Sequence, residues 1–223
     1  MWKSIQAVAF DVDGTLYPSW QLYIRMIPYF IKNLFFFLKY NRVRHILHRT
    51  APLADFYEYQ ARLLAEEMHI SVADAHRHIA DKVYTGLKPF FAKVRPYRHM
   101  VETFQVFKAA GLKLAILSDF PPEQKGSVWG AAALCDAVLG SEQLGALKPS
   151  KYTFGLLAKA LDVPPESVLY VGNSVISDIQ GARRAGMKTA YIIPIFRLLF
   201  RRRPAEADIV FSNYRQLQKI VLQ

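Results

Sequence analysis

The sequence contains very little cysteine, because Cys135 is the only one among its 223 residues. A single thiol cannot form a disulfide within the chain, so nothing here supports an oxidising compartment. The first ten residues also lack the apolar stretch and cleavage site of a secretory signal peptide. We therefore expect a cytoplasmic protein.

Acidic residues are scarce, and low-complexity segments and internal repeats are absent. The chain has 18 Asp and Glu against 29 Lys and Arg, which gives a formal net charge of +11. The hydrophobic content of 52% is typical of a folded protein and argues against disorder. The positive charge favours an anionic partner, which leaves open a phosphorylated metabolite, a nucleic acid or a membrane surface. Because no nucleic-acid-binding motif is present, we expect no specific nucleic acid.

No apolar run is long enough to form a membrane span, which needs roughly 20 residues. The most apolar segment, Trp20 to Tyr40, is interrupted by Arg25, Pro28, Lys32 and Asn33. Its apolar residues recur at the spacing of one helix face, namely Trp20, Tyr23, Ile24, Ile27, Phe30, Ile31, Leu34, Phe35 and Leu38. We predict one packed amphipathic helix with a kink at Pro28, and peripheral contact with a membrane is the less favoured alternative.

After residue 96 strand-like segments alternate with helical ones, and one further strand-like segment precedes a block that is predicted to be all helical. The predicted strands are Ile5 to Phe10, Lys113 to Leu117, Ala137 to Leu139, Val168 to Val171, Thr189 to Ile193 and Ala207 to Val210. This alternation predicts an α/β fold with a doubly wound, Rossmann-like parallel sheet. The core would comprise residues 1–17 and 96–223, with an all-helical cap domain inserted at 18–95.

Three of the predicted strands end in polar residues, and the carboxyl ends of parallel strands meet at one edge of a sheet. The residues brought there are Asp11 and Asp13, Ser118 and Asp119, and Asn173 with Asp178 shortly beyond. Two aspartates two positions apart face the same side, so one can attack a substrate while the other handles protons. A divalent cation would offset their repulsion and bridge to a phosphate.

A calcium-binding loop is excluded as the explanation of the two aspartates. With Gly14 as the loop glycine, the first and last ligand positions would fall on Ala9 and Trp20. Neither side chain can coordinate a cation. A plain turn is the remaining alternative for this motif taken alone.

The segment Asp11-Val12-Asp13-Gly14-Thr15-Leu16 resembles the first motif of the haloacid dehalogenase superfamily of phosphatases. Three later segments are similar to the second, third and fourth motifs, in the same order: Leu117-Ser118-Asp119, Lys148 in Gly145-Ala146-Leu147-Lys148-Pro149, and Val171-Gly172-Asn173-Ser174 with Asp178. The helical block resembles the small cap of the phosphoglycolate phosphatase-like branch. Together the motifs extend over nearly the whole chain.

The resemblance implies a magnesium-dependent phosphatase of a small phosphorylated metabolite. Asp11 would be the nucleophile that forms an aspartyl-phosphate, and Asp13 would be the general acid and base. Ser118, the backbone amides around Asp119, and Lys148 would bind the phosphoryl oxygens. The implied Mg²⁺ ligands are Asp11, Asp13 through its main-chain carbonyl, Asn173 and Asp178. Dehalogenating members lack the acid found here at Asp13, which favours phosphoryl transfer.

Asn173 departs from the family pattern, which usually has aspartate at this position. An amide oxygen still coordinates a hard cation, but the site loses one negative charge, so we expect weaker Mg²⁺ binding. A non-catalytic protein that binds an anionic partner stays open as an alternative, as does a phosphotransferase or phosphomutase on the same site. The sequence does not determine the oligomeric state. For the basic, aromatic stretch 194–203 an exposed loop is the favoured interpretation.

Overall fold

The computed structural model describes residues 4–193 and 206–223, which contain a parallel sheet of six strands in the order β3-β2-β1-β4-β5-β6. The strands are β1 Ala7–Phe10, β2 Lys113–Ser118, β3 Ala137–Gly140, β4 Val168–Gly172, β5 Lys188–Ile192 and β6 Ile209–Phe211. All five pairings are parallel. The predicted doubly wound α/β fold is therefore confirmed. The stretch 194–203, predicted as a loop, lies outside the described residues.

Strand β1 lies at the centre of the sheet, between β2 and β4, and is buried on both faces. Val8 and Phe10 point into one apolar layer, whereas Ala7 and Ala9 point into the other. The ring of Phe10 stacks on that of Phe104 with 4.4 Å between centroids. A strand covered on both faces is a near-continuous apolar run, which is the pattern found here. The residue that follows β1, Asp11, is consequently held in a fixed position.

The segment between β1 and β2 contains the helical cap. Its helices are α1 Ser19–Lys32, α2 Leu34–Leu47, α3 Phe56–Met68, α4 Val72–Ile79, which continues as a π-helix over Ala80–Thr85, and α5 Lys88–Phe91. Asp55 caps α3 by accepting from the Glu58 amide at 2.9 Å, and Ser71 caps α4 by accepting from the Asp74 amide at 3.0 Å. No described helix is long and apolar enough to cross a membrane. The domain boundaries at 17/18 and 95/96 stay a prediction.

The remaining helices cover the two faces of the sheet. They are α6 Met100–Ala109, α7 Lys151–Leu161, α8 Gly181–Arg184, which follows a π-helical segment Val175–Gln180, and α9 Tyr214–Leu222. Apolar residues of α6 and α9 belong to the same buried layer as the cap, and those of α7 and α8 form the opposite layer. The carboxyl edge of the sheet is therefore left facing the cap.

The prediction of one helix kinked at Pro28 is wrong, because the chain forms two helices that meet at Asn33. The Asn33 backbone leaves helical geometry at φ −116° and ψ 27°. Both its amide and its side-chain Nδ2 donate to the Tyr29 carbonyl at 3.1 Å, which closes the end of α1. Asparagine competes with the helical backbone for hydrogen bonds in this way. Pro28 stays inside α1.

The prediction that this apolar face packs inward is also wrong. The protein interior takes Leu22 and Met26 of α1 and a separate face of α2 that includes Phe36 and Tyr40. Most of the predicted face is exposed instead: Trp20, Tyr23, Ile24, Ile27, Ile31, Leu34, Phe35 and Leu38. Apolar residues occupy several sides of these helices, so their spacing does not determine which side meets the core.

Candidate active site

Asp11 is a buried carboxylate whose two oxygens each have a hydrogen-bond donor. Lys148 Nζ donates to Oδ1 at 2.6 Å, and Thr15 Oγ1 donates to Oδ2 at 2.8 Å. Burial raises the pKa of Asp11 to about 7, Lys148 opposes the rise, and the Asp178 and Asp13 carboxylates add to it. The carboxylate is thus fixed in orientation and has a pKa close to neutrality.

Lys148 connects Asp11 to a second buried acid. Its Nζ donates to Asp178 Oδ1 at 2.8 Å and to Tyr170 Oη at 3.3 Å. Burial alone would lower the pKa of Lys148, but the Asp11 and Asp178 charges outweigh it and the pKa lies well above its usual value. The ammonium group therefore stays charged and partly neutralises this centre.

Asp178 and Asn173 lie together at the end of β4. Asp178 Oδ2 accepts from the amides of Asn173 at 3.1 Å and Ser174 at 2.9 Å. A Cβ at Gly172 would lie 2.3 Å from the Cβ of Asp178, so only glycine lets the carboxylate approach the strand. Asn173 Oδ1 accepts from Thr15 Oγ1 at 3.3 Å, which places the amide beside Asp11.

Asp13 is held by Tyr17 and Lys125, neither of which was predicted from the sequence to be a site residue. Tyr17 Oη donates to Asp13 Oδ1 at 2.5 Å, and Lys125 Nζ forms an ion pair with Oδ2. Lys125 also donates to Ser118 Oγ at 2.7 Å, so it joins the residues of the first and second motifs. Its side chain is nearly buried and lies over the ring of Phe91. The loop after Ser118 is the only sequence signal that points to Lys125.

Asp119 lines the same cavity, but its side chain supports the loop of Lys148. Its Oδ1 accepts from the Lys148 amide at 3.2 Å. Burial would raise the pKa of Asp119, yet the charges of Lys148, His48 and Arg44 outweigh it and the pKa is lowered. The Asp119 side chain is therefore anionic and supports the loop that carries Lys148.

Comparison with known proteins shows to which family this chain belongs. The family model described as haloacid dehalogenase-like hydrolase matches residues 5–186. The chain belongs to the haloacid dehalogenase-like hydrolases. The predicted membership of this superfamily is therefore confirmed.

Two relatives and one solved structure of this hydrolase family illustrate its range. The chain is 29% identical over 207 residues to a glyceraldehyde 3-phosphate phosphatase of Methanopyrus kandleri, with 84% of both chains covered. It is 26% identical over 199 residues to a (S)-2-haloacid dehalogenase of Pseudomonas sp. (strain YL), covering 84% of this chain and 82% of the relative. A HAD phosphatase from Thermococcus onnurineus shares the fold, with a TM-score of 0.65, 20% identity and coverage of 97% and 98%.

The hydrolase site opens into a cavity of about 670 Å³ between the sheet edge and the cap. Helix α2 contributes Arg44, which pairs with the buried Glu142, and the residue after the helix is His48, whose Nδ1 lies 2.7 Å from the Lys148 carbonyl. Tyr84 Oη donates to the other oxygen of Glu142 at 2.8 Å. Cap and core are thus joined by buried polar contacts beside the loop of Lys148.

The oxygen donors of this hydrolase site suit a hard cation, although few of them carry a negative charge. Among residues 4–193 and 206–223, no three His, Cys, Asp or Glu side chains are arranged to hold a metal ion. The oxygens of Asp11 and Asn173 both approach Thr15 Oγ1, and Asp178 adjoins Asn173. Carboxylate and amide oxygens are the donors that Mg²⁺ prefers, so these residues fit that ion by chemistry.

Proposed function

We propose that this protein is a magnesium-dependent phosphatase that hydrolyses a phosphate monoester through an aspartyl-phosphate on Asp11. The observation that most supports this proposal is the fixed Asp11 carboxylate, surrounded by Lys148, Thr15 and the residues of the other motifs. The name of the Methanopyrus relative supports a small phosphorylated metabolite as the class of substrate.

In the first step Asp11 attacks phosphorus. The bond between phosphorus and the leaving oxygen breaks as the bond to Asp11 forms. Because Lys148 and Thr15 each hold one carboxylate oxygen, little orientational freedom is lost when the substrate binds. The positive charge of Lys148 offsets the negative charge that builds up as the phosphoryl group approaches Asp11.

Asp13 moves the proton in both steps. It gives a proton to the leaving oxygen first, and then takes one from the water that attacks the phosphoryl group and frees Asp11. Its carboxylate is oriented by Tyr17 and Lys125. Displacement of halide needs no proton donor. A positioned Asp13 therefore supports phosphoryl transfer here, and not the dehalogenation named for one of the relatives.

The phosphoryl oxygens are bound by Ser118, Lys148 and the amides around Asp119. Ser118 Oγ accepts from Lys125, so its own hydroxyl hydrogen is available for a phosphate oxygen. Lys125 therefore adds a second cation to the phosphate site. Two lysines and a hydroxyl group are suited to the spread of charge in phosphoryl transfer.

Mg²⁺ would be held by the Asp11 and Asp178 carboxylates, the Asn173 amide oxygen and the main-chain carbonyl of Asp13. When bound, it supplies positive charge that offsets the carboxylates and polarises a phosphoryl oxygen. With Asn173 in place of an aspartate, the site has one negative charge fewer with which to attract the ion.

The test is phosphate release from a panel of sugar, acid, nucleotide and alkyl monophosphates, with Mg²⁺ and with a chelator. We expect hydrolysis of at least one class with Mg²⁺ and none with the chelator. The Asn173→Asp variant should need a lower Mg²⁺ concentration for half-maximal activity. Failure to release phosphate from any member of the panel, in either protein, would overturn the proposal.

A further inference from the structure

The cavity above Asp11 is lined mainly by carbon. Helix α1 contributes Leu22, Met26 and Phe30, α2 contributes Leu34, Phe37 and Leu38, and Val83, Leu87, Phe91 and Phe120 complete the apolar wall. The acidic residues of the wall, Asp11, Asp13, Asp119 and Asp178, all come from the sheet edge together with Lys148, whereas the polar residues on the cap side are Ser19, Tyr23, Tyr40, Asn41, Arg44 and His48. The site thus has a charged end at the sheet edge for a phosphate and a cap end in which apolar side chains predominate.

The cap provides no uncommitted cation for a second anionic group on a substrate. Among the described residues that line the cavity, the basic groups of the cap are Arg44 and His48. Arg44 pairs with Glu142 and also bonds Gln60, and His48 contacts the Lys148 carbonyl. A carboxylate or a second phosphate in the cap end would lose water without gaining a charged partner, which is unfavourable.

From this lining we propose that the substrate is a phosphate monoester whose leaving group is an extended apolar chain, held along α1 and α2. This inference rests on the proposed phosphatase activity and narrows its substrate. At about 670 Å³ the cavity is within the usual range for ligand sites and exceeds what a phosphate alone requires. Burial of each methylene group should raise kcat/KM about two- to fourfold until the wall is filled.

The test compares ethyl, butyl, hexyl and octyl phosphate, each below its micelle-forming concentration, with glycolate and glyceraldehyde phosphates. We expect kcat/KM to rise at least about tenfold from ethyl to hexyl phosphate. Leu38→Gln should flatten that rise. Ile46→Gln, on the same helix but outside the cavity wall, is the matched control and should keep the rise.

The outcomes separate the two proposals. If the small polar phosphates are hydrolysed and longer alkyl chains bring no gain, the apolar-chain inference is overturned while the phosphatase proposal stands. If no phosphate is released from any compound, the phosphatase proposal itself fails. A rise with chain length that Leu38→Gln leaves intact would also contradict the assignment of the apolar end.

A different observation concerns the outer side of α1. Trp20, Ile24, Ile27 and Ile31 follow one another at helical spacing and are 60%, 58%, 51% and 69% exposed. We call these four residues the outer stripe. No described residue covers them. Large apolar side chains exposed in a continuous row are typical of an interaction surface.

The charges around the outer stripe have one sign. No Asp or Glu occurs between Asp13 and Asp55, so α1 and α2 carry only basic charges. Arg25 and Lys32 lie on α1 itself, and neither forms an ion pair with a described residue. A second copy of this chain would bring the same unpaired cations face to face, which disfavours self-association.

We infer that the outer stripe docks on a bilayer that contains anionic phospholipid, with Arg25 and Lys32 at the headgroups. An apolar helix face with basic flanks is the usual form of a helix that lies in a membrane interface. The apolar side chains would enter the acyl boundary, and the lysine and arginine would extend towards the phosphates. This inference does not depend on catalysis.

The test is co-sedimentation of the full chain with vesicles of phosphatidylcholine alone or of phosphatidylcholine with roughly 30% phosphatidylglycerol, which gives the surface a negative potential. We expect binding only to the anionic vesicles, and at least about a tenfold loss of binding in Ile24→Glu/Ile27→Glu. Tyr152→Glu/Leu222→Glu makes the same charge change at exposed apolar residues elsewhere and should bind nearly as well as the parent.

Several results would overturn the docking surface. One is equal binding by the Ile24→Glu/Ile27→Glu variant, and another is equal binding to uncharged vesicles. A third is a dimer in solution that this variant abolishes, because the stripe would then meet a second copy. The Asp11→Asn variant should bind vesicles like the parent, which separates docking from hydrolysis.

Discussion

At the scale of single residues, Lys125 is the addition that the structure makes to the four sequence motifs. It contacts Asp13 and Ser118, which belong to different motifs, and it is nearly buried. We expect Lys125→Gln to lower kcat/KM about 100-fold, because Asp13 and Ser118 lose the charged donor that positions them. Lys151→Gln, at an exposed lysine, is the control. Steady-state kinetics measure both, and an equal effect in the two variants would refute a role in the site.

The pKa of Asp11 predicts how Mg²⁺ binding depends on pH. Burial raises this pKa to about 7, and a raised carboxyl pKa means that the group holds a proton below that value. Mg²⁺ must displace this proton, so its affinity should fall by up to about tenfold per pH unit below pH 7 and level off above it.

Calorimetric titration of Mg²⁺ between pH 5.5 and 8.5 measures this dependence. Asp162→Asn removes an exposed carboxylate far from the site and should keep the same profile. A Mg²⁺ affinity that stays constant across this range would show that Asp11 does not compete with the ion through its proton.

At the scale of elements, the end of β4 depends on glycine. A side chain at Gly172 would meet Asp178 at 2.3 Å, so Gly172→Ala must displace the carboxylate that pairs with Lys148. We expect a loss of about 1–3 kcal/mol in unfolding free energy, as for other overpacked sites, and a marked loss of activity. Denaturant unfolding and kinetics measure the two effects.

Gly155 in α7 is the matched control for this substitution. A Cβ there meets no atom within 4 Å, and the position is inside a helix. Gly155→Ala should therefore raise the unfolding free energy by about 1 kcal/mol and leave activity unchanged. If both alanine variants behaved alike, steric crowding at Gly172 would not be the cause of its effect.

The connection between cap and core also belongs to this scale. Arg44 of α2 pairs with Glu142 in the loop after β3, and both are buried. Arg44→Met leaves the Glu142 charge without its partner and should cost about 3–5 kcal/mol. Arg44→Met/Glu142→Leu should recover most of that loss. Denaturant unfolding of the single and double variants is the measurement, and additive losses would contradict a coupled pair.

At the scale of the whole molecule, the sequence predicts the sheet and much of the site because both follow from local pattern. Asp11, Ser118 and Asn173 each follow a short apolar run, and parallel strands bring such positions to one edge. Lys125 could not be found in this way, since a lone lysine in a proline-rich loop has the pattern of a solvated residue. Its burial follows only from contacts distant in sequence.

The sequence did not predict which face of α1 is exposed, and the physical reason is a different one. Apolar side chains surround much of the helix, and periodicity locates a core face only where polar residues occupy the others. Leu22 and Met26 face the interior, while Ile24 and Ile27 face outward. The packing of α2 and α5 against α1 determines that choice.

The most direct test of the whole account is whether a phosphoryl group is transferred to Asp11. The protein is mixed with ³²P-labelled substrate and Mg²⁺, quenched in acid within one turnover, digested and mapped by mass spectrometry. We predict that the label is carried by the peptide containing Asp11 and is absent in Asp11→Asn, whose folded state is checked by circular dichroism. Phosphate release that persists in Asp11→Asn, or label on a different peptide, would contradict the account.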